Sequence, residues 1–261
     1  MIVCSFNVNS VKARKELILQ WLDHRGGDID ALCIQELKTE DSGFPAGDFE
    51  AHGFSCRVFG QKGYNGVAIL SKVPPKSTVK GFGQAAWDEQ KRLIRAEIKG
   101  LQVINVYAPH GDVRGTDKSD YKLRWYKNLV RYLEMNFSPG DPLLMVGDFN
   151  VAHRDIDVYS PEELADMIGT MPEEREAFAA LLDWGLVDAF RELYPEKQQF
   201  TWWDYIGGAI WKDKGMRLDY ALCTKPVLVK ISKIDIDLWP RKRREPTPSD
   251  HAPVVIDIKT R

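Results

Sequence analysis

Apolar residues fall along this chain in short unbroken runs, and many of the runs stop at a polar side chain. Ile2 to Phe6 leads into Asn7-Val8-Asn9, Ala31 to Ile34 into Gln35-Glu36, and Leu143 to Val146 into Gly147-Asp148-Phe149-Asn150. A continuous apolar run is the pattern of a strand buried on both faces. The runs predict strands over Ile2–Asn7, Ala31–Ile34, Phe54–Phe59, Gly66–Ser71, Thr78–Phe82, Leu93–Ile98 and Leu101–Tyr107. The strand of Leu143 to Val146 follows, then Gln199–Trp203, Leu218–Thr224, Val227–Ile236 and Val254–Ile258. Lys99-Gly100 makes a tight hairpin turn and Lys62 to Gly66 another turn.

Helical spacing interrupts the runs. Ser10 is a good N-cap for Val11–His24, where Leu17/Trp21 and Ile18/Leu22 share a face and Gly26-Gly27 marks the end. Asp117 or Ser119 can cap a helix from about Asp120 to Asn136 with the stripe Tyr121, Trp125, Leu129, Tyr132 and Leu133. Thr170-x-x-Glu173, with Pro172 in the first turn, reads as a capping box for a helix that ends near Gly185 and buries Phe178, Leu181 and Leu182. Residues 40–53 are rich in Gly, Pro and Asp and read as a loop. No Pro/Ser-rich linker divides the chain, so residues 1–261 are expected to form one domain. Many strands with a few helices predict two packed sheets covered by helices, an α/β fold.

Composition narrows the class. A content of 44% hydrophobic and 11% aromatic residues describes a folded core. The net charge of -2 gives no global basic signal, so a nucleic-acid partner would need local basic patches. Of Cys4, Cys33, Cys56 and Cys223, three lie in apolar runs and none forms C-x-x-C, the pattern of buried free thiols in a reducing compartment. The sequence opens directly on a strand, and no apolar run approaches transmembrane length. A cytoplasmic protein with no membrane partner is the expectation.

The candidate chemistry lies at the strand ends. Asn7, Glu36, Asp148, Asn150, Asp219, Asp250 and His251 all stand there, with Tyr107 beside them, and ligands gather outside the carboxyl ends of strands in α/β sheets. Asp148 and Asn150 are two apart and point to one side. Taken singly, each has an ordinary structural role: Asn7 capping a turn, Glu36 a solvated acid, Asp219 pairing with Arg217, His251 a core histidine, Tyr107 a strand aromatic. Jointly they are harder to assign that way, because sheet ends do not need four carboxylates. Hard oxygen ligands, without H-E-x-x-H or Cys/His zinc spacing, favour Mg²⁺ or Mn²⁺. An aspartate beside a histidine favours the imidazolium, and imidazolium plus metal suits a phosphoryl transition state. Asp148 is left to align or deprotonate a water.

Seven ordered motifs carry a resemblance: Cys4-Ser5-Phe6-Asn7-Val8-Asn9-Ser10, Ile34-Gln35-Glu36-Leu37-Lys38, Asn105-Val106-Tyr107, Gly147-Asp148-Phe149-Asn150-Val151-Ala152, Thr201-Trp202-Trp203-Asp204-Tyr205, Arg217-Leu218-Asp219-Tyr220 and Ser249-Asp250-His251. From Ile2 to Ile258 the chain resembles exonuclease III and the apurinic/apyrimidinic endonucleases, within the endonuclease/exonuclease/phosphatase superfamily. The resemblance implies a four-layer α/β sandwich of two packed mixed β-sheets flanked by helices, Mg²⁺ dependence with Mn²⁺ as a substitute, and hydrolysis of DNA phosphodiesters. It implies Glu36 as the principal metal ligand, assisted by Asp250 and Asn7, with Asp148, Asn150 and His251 also around the metal. Asp148 would activate water, Asn150 would position phosphate and Asp148, His251 paired with Asp219 would contact the scissile phosphate, and Tyr107 would donate a hydrogen bond to the phosphate or leaving group. Lys62, Asn65 and Arg114 would meet the DNA, and Trp202, Met216 and Leu218 would wall a pocket for a flipped abasic sugar. Lys12, Arg14 and Arg241 to Arg244 join Lys62 and Arg114 as candidate phosphate contacts. His110 stands where Asn or Gln is more familiar in the family, and Met216 where Trp or Leu is.

The implied protein is a class II abasic-site endonuclease with 3′→5′ exonuclease and 3′-phosphodiesterase activity. Its partner would be double-stranded DNA with abasic sites or 3′ ends, and it would act as a monomer. A phosphoesterase for inositol phosphates, sphingomyelin or poly(A) would share the acids, but the Thr201-Trp202-Trp203 loop favours DNA. A binding protein without chemistry would gain nothing from carboxylates facing phosphates.

Overall fold

The structure, a computed structural model, describes residues 1–259; residues 260 and 261 of the expected domain lie outside the described residues. In chain order the first strands are β1 (Ile2–Asn7), β2 (Ala31–Gln35), β3 (Ser55–Phe59), β4 (Val67–Ser71), β5 (Ser77–Lys80) and β6 (Leu93–Ile98). They continue with β7 (Leu101–Tyr107), β8 (Leu143–Asp148), β9 (Val187–Asp188), β10 (Asp219–Cys223), β11 (Ile231–Ile236) and β12 (Val254–Ile258). The helices are α1 (Val11–His24), α2 (Ala46–Ala51), α3 (Ala85–Asp88), α4 (Asp117–Asn136), α5 (Pro172–Asp183), α6 (Ala189–Leu193) and α7 (Lys225–Leu228). The strands form two six-stranded sheets, ordered β11-β12-β1-β2-β4-β3 and β5-β6-β7-β8-β10-β9. Each is mixed, with β1–β2 and β7–β8 parallel and the remaining pairs antiparallel.

Alternation along each strand assigns every side chain to a layer. Leu144 and Val146 of β8 face inward and pack with Val3, Ala31, Cys33 and Ile69 of the first sheet. Leu143 and Met145 face outward, onto Trp125, Leu129 and Phe178 of α4 and α5. In the first sheet Cys4, Phe6, Leu32 and Ile34 face outward onto Ile18, Trp21 and Leu22 of α1. Four layers result: α1, sheet, sheet, and α4 with α5. Both faces of each central strand are covered, which is why the sequence runs are apolar without alternation.

The same parity sends a polar set inward at one end. Following Val3, Cys33, Val103 and Val146 two by two, the last inward positions are Asn7, Gln35, Tyr107 and Asp148, and β10 enters from that end with Asp219. Registers align them: Asn7 lies opposite Gln35, and Tyr107 and Asp219 both lie opposite Asp148. Just below, a buried seam joins the sheets. Gln35 Nε2 donates to Asn105 Oδ1 at 2.6 Å and Ser5 Oγ at 3.1 Å, and Asn105 Nδ2 donates to the carbonyls of Ile34 and Ala68.

Several expected elements differ. Residues 40–53 contain a short turn at Asp41–Gly43 and the helix α2, which buries Phe49 among the α1 contacts. Thr116, not Asp117 or Ser119, caps α4 through its hydroxyl. The capping box at Thr170 does not form: Thr170 Oγ1 donates to the carbonyls of Leu164 and Met167, and Met171 is the N-cap. Gln199–Trp203 is no sheet strand; Trp202 makes only isolated bridges to Met216 and His251. Val227 lies in α7, begun by Lys225-Pro226, so the strand expected from Val227 starts at Ile231. Strand β5 ends at Lys80 because Phe82 and Gln84 turn to donate their amides to Asp88. Among the described residues no helix is long and apolar enough to cross a membrane, and the four cysteines are free.

One buried ion cluster fixes the strand that carries Asp219. Arg217 is 1% exposed and donates to both oxygens of Asp157 and both of Asp188, while Arg191 donates to Asp157. Arg217 thus pairs away from Asp219, the neighbour with which a sequence reading could have paired it. Burial opposes the charge on Asp157, yet Arg217 and Arg191 hold its carboxyl below the ordinary range. Removing one member of such a buried cluster strands the others, so Arg217→Ala should cost about 3–5 kcal/mol of stability. Urea unfolding at neutral pH measures it. Because the Asp157 value is depressed, this contribution is present above the ordinary aspartate value and is lost as pH falls through the folded one. A loss within experimental scatter would show that the cluster is not holding β10.

Candidate active site

At the polar end of the inter-sheet layer a cavity of about 220 Å³ opens between Glu36, Tyr107, Asp148 and His251 on one side and Trp202, Met216 and Leu218 on the other. The structure brings together every strand-end residue singled out from the sequence. Asn7 Nδ2 donates to Glu36 Oε1 at 2.9 Å and to Asp148 Oδ2 at 2.8 Å, so one amide ties the first sheet's acid to the second's. Asn7 Oδ1 accepts from the Asn9 amide, which fixes which way the carboxamide faces. Glu36 leaves β2 in the left-handed region, φ 54°, which turns its carboxylate over the strand end. Glu36, Asp148 and His251 each offer a ligand atom within 4.8 Å of the others.

Asp148 Oδ1 accepts from the Asn150 amide at 2.9 Å, and Asn150 Nδ2 donates to the Ala108 carbonyl. His251 Nδ1 meets Asp219 Oδ2 at 2.8 Å, while Nε2 stands 3.7 Å from Asp148 Oδ2. Thr201 Oγ1 accepts from the amides of both Leu218 and Asp219 and pins the start of β10. Lys38 Nζ lies 2.9 Å from Glu36 Oε2 and also reaches Asn9 Oδ1. Asn9 Nδ2 in turn donates to Asp250 Oδ1, and Trp202 Nε1 to Asp250 Oδ2.

The charges follow from this crowding. Burial pushes the Asp148 carboxyl up to about 7; His251 pulls against that, and Asp219 and Glu36 add to it. For His251, burial opposes the charge, but Asp219 and Asp148 raise it to about 10. Burial, then Glu36 and Asp148, lift the Tyr107 phenol well above its ordinary value, so it is a hydroxyl donor. Asp250 is held below the usual carboxylate range: burial resists, but His251 and the bonds from Trp202 and Asn9 prevail.

The residues expected to meet DNA divide. Trp202, Met216 and Leu218 line the cavity and pack with Ala152 and Val158 as its apolar wall. Lys62 is exposed, and Asn65 lines a neighbouring cleft that shares His110 with the cavity. Arg114 is exposed, but its guanidinium is clamped by Asp166 and Glu173. Arg241 is buried and donates to the carbonyls of Asp250 and Trp203, so it braces the Asp250 loop from behind. Arg14 donates to the Asn9 carbonyl and Tyr205 Oη. Lys38, Asn9, Thr201, Ile168 and Gly169 were not singled out as site residues. The first three lie inside or beside the quoted motifs, which is the one signal that could have found them.

Residues 4–251 match the profile of the Endonuclease/Exonuclease/phosphatase family. The chain is 33% identical to exodeoxyribonuclease III of Haemophilus influenzae, covering 98% of both sequences. It superposes on an AP endonuclease from Archaeoglobus fulgidus with a TM-score of 0.94 at 36% identity, covering 99% of each chain. A 3′ phosphatase from Neisseria, solved bound to a product DNA hairpin, matches with a TM-score of 0.93 at 35% identity, again over 99% of each chain.

The imidazole is a direct probe of the charge arrangement. In ¹³C-histidine NMR, His251 should titrate near 10, and Asp219→Asn should lower that value by about 1–3 pH units as the opposite charge is removed. Because the folded value is raised, this pair supports the fold fully below the ordinary imidazole value, and the support is lost as pH climbs through about 10. A His251 titration unmoved by Asp219→Asn would mean that another group holds the charge.

Proposed function

The chain belongs to the endonuclease/exonuclease/phosphatase family, and on that premise we propose that it is a DNA-repair nuclease. It hydrolyses DNA phosphodiesters with a divalent metal, as a class II abasic-site endonuclease with 3′→5′ exonuclease and 3′-phosphodiesterase activity. The observation that carries this reading is the Asn7 bridge between Glu36 and Asp148, set beside the Asp219–His251 pair and facing the wall of Trp202, Met216 and Leu218. The names of the relatives, an AP endonuclease, an exodeoxyribonuclease III and a 3′ phosphatase, support the same chemistry.

The donor set suits a divalent cation. Four carboxylates, Glu36, Asp148, Asp219 and Asp250, share the site with two cations, Lys38 and the His251 imidazolium. The excess is negative, and carboxylate oxygens are hard ligands that favour Mg²⁺, with Mn²⁺ as substitute. Glu36 is the principal ligand in this reading, with Asp250, Asn7, Asp148 and Asn150 around the ion. His251 also lies near enough, but its raised proton affinity keeps it an imidazolium, a phosphate contact before a ligand. The bound ion supplies charge stabilisation for the phosphoryl group.

The side chains divide the remaining work. Asp148, lifted toward neutrality by burial, accepts the proton of the attacking water as its oxygen bonds to phosphorus. Asn150 steers that carboxylate through its amide N–H. His251, held by Asp219, faces the charge that grows on the phosphoryl oxygens. Tyr107 donates its hydroxyl proton in a hydrogen bond to the phosphate or the leaving oxygen as the P–O bond breaks. Trp202, Met216 and Leu218 receive the abasic sugar, and Lys62 and Asn65 meet the strand. Residues 1–261 act as one domain, monomeric and cytoplasmic, on double-stranded DNA.

Turnover of a duplex with a single abasic site, in Mg²⁺, against inositol phosphates under the same conditions, is the decisive experiment. EDTA should abolish cleavage and Mg²⁺ or Mn²⁺ restore it; full activity in EDTA would remove the metal from the reaction. Asp148→Asn keeps size but loses the base, and should slow cleavage by about 10²–10⁴-fold. It also relieves repulsion of phosphate, so its affinity for abasic DNA should equal or exceed the parent's. Binding lost in step with rate would make Asp148 a folding or binding residue instead.

A further inference from the structure

Lys122 lies on the inner face of α4, and its side chain is 0% exposed. An ammonium in that place must find partners for all of its protons. It finds three: Glu174 Oε1 at 2.6 Å, the Asn150 carbonyl at 2.7 Å and the His110 carbonyl at 3.1 Å. Glu174 is itself 2% exposed, and its second oxygen accepts from the Gly169 amide at 2.6 Å. The Gly169 carbonyl then accepts from Ala152 at 2.7 Å. His110, Asn150 and Gly169 all line the catalytic cavity and come from three separate loops. One buried ion pair therefore grips the backs of all three.

The grip has a local consequence. Asn150 sits in the left-handed region, φ 52°, a conformation that a non-glycine residue keeps only when its surroundings hold it. Its carbonyl is held by Lys122, its N–H by Asp148 Oδ1, and its carboxamide by Ala108. Gly111 makes room for the stem, since a Cβ there would stand 2.9 Å from Lys122 Cδ. We propose that Lys122, with Glu174, is a positioning residue for hydrolysis: it acts through Asn150 to hold the Asp148 carboxylate in line with the phosphate. The inference rests on the nuclease reading above, since it assigns Asp148 its role.

Two variants keep the test independent of folding. Lys122→Met keeps the length of the stem and drops the donors. Lys122→Met with Glu174→Gln drops both buried charges, so no uncompensated ion remains, and still accepts from Gly169. On the abasic duplex in Mg²⁺, both should lower kcat by about 10²-fold, the scale of a 1 Å misplacement, with Kd for the uncleaved duplex unchanged. In an Asp148→Asn background, where the carboxylate to be aimed is gone, the added Lys122→Met should change kcat by less than about twofold, because the two act as one unit. Amide exchange gives a readout that needs no substrate. The Asn150 and Ala152 amides should exchange faster in the double variant while Val146 in β8 keeps its parental rate.

A folded variant with parental kcat overturns the proposal, as do fully multiplicative losses with Asp148→Asn. Faster exchange at Val146 in equal measure also overturns it, because the pair would then serve global stability alone. A parent that leaves the abasic duplex intact sinks the nuclease reading. Even then, unaltered exchange at Asn150 would sink the positioning claim on its own.

Discussion

Too many carboxylates in too little water is the constraint on which this structure turns. The two sheets bring Glu36, Asp148, Asp219 and Asp250 to one crevice, and each charge has to be met or its proton kept. Asn7 answers first, dividing its two amide protons between Glu36 and Asp148. It links the acid of one sheet directly to the acid of the other, and it works only because Asn7 is the last inward residue of β1. Lys38 meets the other oxygen of Glu36, and His251 takes the charge that Asp219 and Asp148 favour. What is left over falls on Asp148, whose carboxyl rises toward neutrality. In the proposed reaction, a base with a value near the working pH is thus a by-product of where the chain had to place its acids.

Strand parity connects that chemistry to the fold. Every second residue of β1, β7, β8 and β10 fills the layer between the sheets, and the layer is apolar until its last two tiers. The seam of Ser5, Gln35 and Asn105 is the tier in between, where hydrogen bonds replace apolar contacts without admitting water. A slip of one residue in any of these strands would turn its strand-end polar side chain into the helical layers. Gly147 guards that register in β8. At φ 144° it lies so close to β7 that a Cβ would fall 1.9 Å from the Val106 carbonyl.

This explains why much of the architecture was legible in the sequence. Runs such as Leu143 to Val146 announce strands covered on both sides, and the polar residue that closes each run announces the site. Asn7, Glu36, Tyr107, Asp148, Asp219, Asp250 and His251 could be placed together from the sequence, because strand ends converge. What stayed hidden is pairing. Val227 and Leu228 are as apolar as any strand residue, yet Pro226 starts a helix there. Gln199 to Trp203 has strand composition, but Trp202 pairs only at single bridges. Charged side chains hide most: Arg114, Arg241 and Lys122 look alike in sequence, while one is clamped at the surface, one braces a loop and one is sealed in the core.

The apolar wall and the charged floor of the cavity are not separate devices. Trp202 bridges both Met216 and His251 through the backbone, and its indole nitrogen donates to Asp250. Thr201, one residue earlier, binds the amides of Leu218 and Asp219 with a single hydroxyl. Leu218 belongs to the wall, and Asp219 orients the imidazolium. A group that presses on Trp202 or Leu218 therefore presses on the peptides that aim Asp219 and His251. Arg241 stiffens the same segment from outside by holding the carbonyls of Trp203 and Asp250. In the proposed nuclease the apolar wall is built on the backbone that carries the Asp219–His251 pair, so the fit of the sugar and the aim of the imidazolium would be set by one piece of chain. On that reading a substrate that seats badly against the wall would meet a floor that is also out of line, so discrimination would enter at the reacting phosphate as well as at binding.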